Sequence, residues 1–151
     1  MNKALFFIGL ISLLVTSCKT YSEEEVQGFD KTIQKFVMKS GLNYEKSESG
    51  LYYLIEKEGE GEFIKFTDEV SVRYTGKLLS GKTFDGRYKR TPITFEVSKL
   101  IEGWKEGMMY LKKGGKAKLI VPPTLGYGDN QLPDIPANSI LYFEIEVVDV
   151  R

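Results

Sequence analysis

The stretch Ser98-Lys99-Leu100-Ile101-Glu102-Gly103-Trp104-Lys105-Glu106-Gly107 decides how this chain folds. It carries the only tryptophan. Ser98 is suited to cap a helix that begins just after it, its hydroxyl accepting from an orphan backbone N–H. Ile101, Trp104, Met108 and Leu111 then recur at helical spacing and form one apolar stripe. Lys112, Lys113, Gly114 and Gly115 close the segment, with positive charge for the last turn and glycine for a left-handed cap. The expectation is a helix of about three turns that presses an indole into a surrounding layer.

That layer is read as β. Residues 51–55 (LYYLI) form a short apolar run, and residues 70–78 (VSVRYTGKL) alternate, with Val70, Val72 and Tyr74 on one face. Residues 58–62 (EGEGE) read as a charged turn and residues 79–82 (LSGK) as a hairpin turn. Residues 83–85 resume extended structure, residues 86–91 (GRYKRT) make a basic loop, and residues 92–97 (PITFEV) form another strand. Residues 117–121 (AKLIV) are a strand stopped by Pro122 and Pro123; a loop over 124–139 follows, and residues 140–150 (ILYFEIEVVDV) alternate to the end. The fold class is α+β: an antiparallel sheet of about five or six strands wrapped around one short helix.

Before the sheet, Ser22 and Glu25 form a capping-box pattern. Val26, Phe29, Ile33, Phe36 and Val37 follow at helical spacing, and Gly41 stops the run. This N-terminal amphipathic helix has three open roles: packing on the domain, pairing with a second copy as a homodimer, or acting as a spacer arm. Further upstream, Lys3 and the apolar run 4–15 (ALFFIGLISLLV) have the form of a signal peptide, since about 20 apolar residues are needed to span a bilayer. Residues 15–18 (VTSC) resemble a bacterial lipobox, which implies cleavage before Cys18 and lipidation there. The expected organisation is a lipoprotein signal peptide over 1–17, a tether and helix over 18–49, and one domain over 50–151. The chain is then exported to the cell envelope and held at the membrane by a lipid anchor. Lys19 stands where an aspartate keeps some Gram-negative lipoproteins at the inner membrane, an analogy that points to the outer one.

Composition removes several chemistries. There is no histidine, which excludes Ser-His-Asp and Cys-His nucleophiles and most zinc sites. A single cysteine excludes disulfides within the chain. Lys+Arg and Asp+Glu are both 21, so no net field draws nucleic acid. Gly114-Gly115-Lys116 lacks the Ser or Thr and the earlier glycine of a phosphate loop, because Ala117 follows the lysine. Gly126-Tyr127-Gly128 lacks the rest of a dinucleotide fingerprint. No carboxylate pair is singled out by its spacing.

What stands out is a set of large apolar residues beside loops: Tyr74, Phe84, Phe95, Ile101, Trp104, Tyr127, Tyr142 and Phe143. They lie in separated stretches: residues 72–76 (VRYTG), 81–85 (GKTFD), 100–107 (LIEGWKEG), 126–128 (GYG) and 135–143 (IPANSILYF). Taken in order, these stretches resemble the FKBP-type peptidyl-prolyl cis-trans isomerases over residues 50–151. The resemblance implies a curved antiparallel sheet around the short helix, with a cavity between them.

By the same resemblance Trp104 is the floor under a prolyl ring. Tyr74, Phe84, Leu100, Ile101 and Phe143 are walls, and Phe95 lies beside the floor. The Ile101 N–H and the Tyr127 hydroxyl are donors to ligand carbonyls. Asp85 is a buried carboxylate beside the pocket, and Ile135 sits on an overhanging loop. The implied catalytic set is Asp85, Tyr127, Ile101 and Trp104, with no metal and no cofactor. The implied partners are proline-containing polypeptides, with macrolide inhibitors such as tacrolimus among the ligands to test. Ile93 departs from the family's frequent aromatic wall residue, and Gly126 replaces the commoner alanine.

No histidine is needed for such a reaction. The barrier to rotating an X–Pro bond is amide resonance, which is lost as the bond twists. The planar amide is the more charge-separated form, so a dry aromatic pocket disfavours it relative to the twisted one. Two functions stay open at this point. One is an isomerase for folding exported proteins; the other is a low-turnover module that binds proline segments as a chaperone or scaffold.

Overall fold

The computed structural model describes residues 21–86 and 91–151. The signal-peptide segment, Cys18, Lys19 and most of the basic loop lie outside the described residues.

The chain begins with α1 (Glu23–Ser40). The capping box forms as the pattern requires: Ser22 Oγ accepts from the Glu25 N–H, and Glu25 Oε2 accepts from the Ser22 N–H. Gly41 ends the helix in the left-handed conformation, φ 68°. The strands are β1 (Glu45–Lys46), β2 (Tyr52–Lys57), β3 (Glu69–Leu78), β4 (Thr83–Gly86), β5 (Ile93–Glu96), β6 (Lys116–Val121) and β7 (Leu141–Val150). A second helix, α2 (Glu102–Met109), lies between β5 and β6. All pairings are antiparallel, in the order β1-β2-β6-β7-β3-β4, and β5 pairs with β3 beside β4. Seven strands therefore form the sheet; the two-residue β1 has no hydrophobic alternation by which to be read. Bulges at Ser71/Val72, Gly76/Lys77 and Ile55/Lys57 add twist where the sheet bends.

Alternation divides the sheet into two faces. Val70, Val72 and Tyr74 of β3 and Phe143, Ile145 and Val147 of β7 point to α2 and are buried with Trp104, Met108 and Leu111. The opposite face receives α1. Ile33, 1% exposed, packs with Tyr52 and Ile120, flanked by Phe36, Val37 and Tyr142. One polar hub fastens the same contact. Asp30 accepts from the Tyr52 hydroxyl at 2.7 Å and the Gln34 amide at 2.9 Å, and pairs with Lys46 at 2.6 Å. Burial works against the Asp30 charge, but these donors outweigh it and hold the carboxyl below its usual range. Of the three roles open to α1, packing on its own domain is the one the structure displays.

The tryptophan helix is shorter than its sequence reading. It spans two turns, and Ser98 does not cap it. Val97–Lys99 form a tight 3-10 turn with Val97 fully buried, and the helix starts only after Ile101, whose ψ of 152° is extended. Burying Val97 takes precedence over the cap. At the other end Tyr110 stays in the right-handed region, so glycine does not terminate the helix. Gly114, φ 78°, serves a later turn in which the Gly115 N–H reaches the Lys112 carbonyl. The expected charged turn is also tied to the segment after α2: the Glu60 N–H donates to the Lys113 carbonyl at 2.9 Å, and the Lys112 N–H donates to the Glu58 carbonyl at 2.8 Å.

Helix and sheet meet at backbone distance. A Cβ on Gly103 would lie 2.6 Å from Val121 Cγ1, and one on Gly107 2.6 Å from Leu119 Cδ1. Val121 is β-branched and fully buried, so it cannot swing aside. Gly103→Ala is expected to cost about 1–3 kcal/mol by overpacking, offset by up to ~1 kcal/mol of helix propensity. The denaturant midpoint should fall with unchanged slope; an equal or higher midpoint would show that the contact can relax.

Candidate functional site

A cavity of about 300 Å³ opens between α2 and the sheet, lined by Tyr74, Phe84, Asp85, Phe95, Lys99, Leu100, Ile101, Trp104, Tyr127 and Phe143. That volume is at the small end of ligand sites. Each element delivers its residue for a local reason. Alternation along β3 and β7 turns Tyr74 and Phe143 toward α2. Phe84 lies across β3 because Gly76 has no side chain: a Cβ there would be 2.6 Å from the Phe84 ring. The 3-10 turn at Val97–Lys99 leads Leu100 and Ile101 past the rim, and α2 carries Trp104 below. Tyr127 follows a second 3-10 turn, Pro123–Leu125, which Pro122 starts.

Trp104 is 4% exposed, yet it lines the cavity. Three rings meet its indole edge to face: Tyr74 at 5.1 Å and 89°, Phe143 at 5.2 Å and 89°, and Phe95 at 6.3 Å and 83°. Phe84 meets Phe143 at 5.7 Å and 86°. Each such pair is worth roughly 0.5–1.5 kcal/mol beyond its buried area. The buried Trp104 Nε1–H has no hydrogen-bond partner among the described residues.

The polar groups are few. The Tyr74 hydroxyl donates to Asp85 Oδ2. Asp85 is half-buried, not the buried carboxylate that the resemblance implied, because it stands on the short edge strand β4. Burial, and then the Asp85 charge, push the Tyr127 hydroxyl above its usual value, so it keeps its proton. The Ile101 carbonyl accepts from Trp104 and Lys105, which fixes the peptide before the helix.

Of the residues the sequence singled out, Ile135 and Tyr142 stand outside this hollow: Tyr142 packs against Phe36 of α1 on the opposite face of the sheet. Ile135 lines an adjoining cleft of about 260 Å³ with Leu132, Pro133 and Asp134, and that cleft shares Phe84, Asp85 and Tyr127. Ile135 itself is 6% exposed and sits in the core cluster. Lys99 is the lining residue that sequence reasoning missed. A lysine reads as a solvated face, and its Nζ does pair with Glu96 at 2.7 Å. The signal available was its place directly before Leu100 and Ile101.

Known proteins match this arrangement. A sequence model of the FKBP-type peptidyl-prolyl cis-trans isomerases matches residues 60–148. The chain is 49% identical over 135 residues to the FKBP-type peptidyl-prolyl cis-trans isomerase FkpA of Buchnera aphidicola subsp. Schizaphis graminum, covering 88% of this chain and 52% of that protein. The crystal structure of FkpA from Escherichia coli aligns with a TM-score of 0.74 at 39% identity, covering 85% of this chain and 62% of that one. The crystal structure of AtFKBP13 aligns with a TM-score of 0.66 at 33% identity, covering 72% of this chain and 98% of that one. The chain spans about half the length of the curated relatives it matches. With the ring-lined hollow over α2, the matched segment and these relatives in agreement, the chain belongs to the FKBP-type peptidyl-prolyl cis-trans isomerase family.

Proposed function

We propose that the chain accelerates cis–trans rotation about X–Pro bonds in polypeptides. The observation that carries this is the indole with rings standing on it at near right angles, open to a cavity of about 300 Å³. A prolyl ring on that base brings its amide between apolar walls. Water is displaced, and the charge-separated planar amide loses more solvation than the twisted one. The Ile101 N–H and the Tyr127 hydroxyl then serve as donors to substrate carbonyls. Asp85, held by Tyr74, places negative charge at the rim beside the turning bond. Uncatalysed exchange takes roughly 10–100 s, and each ~1.4 kcal/mol of preference for the twisted form is about tenfold in rate. We place the protein in the cell envelope with a lipid on Cys18, on the strength of residues 4–18 alone.

NMR exchange spectroscopy on an X–Pro peptide, with the purified chain added, should show interconversion well above buffer, suppressed by tacrolimus. Exchange equal to that in buffer overturns the isomerase. Because Tyr127 stays protonated below its ordinary value of about 10, kcat/KM should be flat between about pH 6 and about pH 9. Tyr127→Phe should lower kcat/KM by about three- to tenfold with unchanged thermal stability; full activity in that variant removes the hydroxyl from the mechanism. Labelled palmitate should enter the wild-type chain in a bacterial host and not Cys18→Ala, and equal labelling of both would reject the anchor.

A further inference from the structure

Resting on the prolyl-isomerase reading, we infer that Tyr21 is a positioning residue for the pocket, acting through the neck of the loop 128–138. Tyr21 precedes α1 and lies outside the family-matched segment. Its hydroxyl donates to Asn138 Oδ1 at 2.7 Å, across 117 residues of sequence. The same oxygen lies against Gly128: a Cβ there would be 3.7 Å from it. Gly128 and Asn138 are the two ends of the loop, and the Asn138 N–H closes the neck by donating to the Gly128 carbonyl at 2.8 Å. Both ends are held in the left-handed region, Gly128 at φ 62° and Asn138 at φ 59°. Asn138 is the only non-glycine with positive φ among the described residues. Asparagine tolerates that conformation better than most residues, but the backbone still needs outside support.

The support leads back to the sheet. The Tyr21 ring packs edge-on against Phe29 of α1, at 5.3 Å and 84°. Helix α1 is in turn fixed by Ile33 in its buried cluster and by Asp30 on Tyr52 and Lys46. On the other side, Gly128 directly follows Tyr127, and the loop carries Ile135, held by paired backbone bonds with Leu132. A chain of contacts thus runs from the far face of the sheet, through α1 and Tyr21, to the two residues that border the cavity and its adjoining cleft. Tyr21 sets the aim of the Tyr127 hydroxyl and the closeness of the loop without touching substrate.

Tyr21→Phe keeps the ring for Phe29 and removes the bond to Asn138. Asn138→Gly removes the acceptor and tolerates the same φ. Each variant should speed hydrogen exchange at the Asn138 and Ile135 amides and lower kcat/KM about threefold, the change falling on KM. Melting temperatures should stay within about 2 °C, and the double variant should lose no more than either single one. Unchanged amide exchange in Tyr21→Phe overturns the clasp. Faster exchange with unchanged kcat/KM overturns the positioning role, and additive losses show that the two residues act separately. Should the wild-type chain lack turnover, the isomerase fails on its own account. The clasp is then judged by amide exchange and by the Kd of a proline peptide.

Discussion

Right-angle packing of three rings on one indole is the interaction on which the rest of this structure depends. Edge-to-face contact satisfies the aromatic quadrupoles, and it also sets Tyr74, Phe95 and Phe143 upright about Trp104. The rings come from β3, β5 and β7, so the sheet must hold its register for the cavity to exist. A slip of one residue would turn Tyr74 and Phe143 to the opposite face. The glycines of α2 complete the constraint by letting the helix sit on Leu119 and Val121 without a spacer. Site and core are thus the same cluster of side chains, seen from two sides.

Charge is kept away from that cluster. Opposite-sign pairs run across the far side of the sheet: Arg73 with Glu146, Lys77 with Glu144, and Lys116 with Glu146. Such partly exposed pairs contribute little to stability, about 0–1 kcal/mol each. Their effect is to match neighbouring strands and keep that face wet where α1 does not cover it. Among the described residues only Asp85 and Lys99 bring formal charge to the cavity lining.

The fold was legible where a long period was at work. The alternation of β3 and β7 is written in residues whose burial follows it position by position, and the stripe of α1 is covered at Phe29, Ile33, Phe36 and Val37 but not at Val26, which lies at the exposed start of the helix. The cavity was legible through the resemblance: nine of the ten lining residues had been singled out, since motif residues converge wherever the sheet is closed around α2. The misses have a common physical origin. Ser98 looked like a cap because capping is a local rule, and burying Val97 is a tertiary demand that overrides it. Lys99 looked solvated because its ammonium is, paired with Glu96 at the surface, yet the residue lines the hollow. Asp85 looked buried by analogy, whereas its depth is set by how far β4 extends along β3. The tie between Tyr21 and Asn138 joins residues too far apart in the chain for any pattern to connect them.

The Asp30 hub has a consequence for acid tolerance. A carboxyl held below its ordinary value in the folded chain contributes stability that is complete above the unfolded value near 3.8 and is lost as pH falls through the folded one. Mild souring of the surroundings therefore leaves α1 seated. Only strong acid neutralises the carboxylate, and the helix then loses its electrostatic latch while Ile33, Phe36 and Val37 keep their hydrophobic seat.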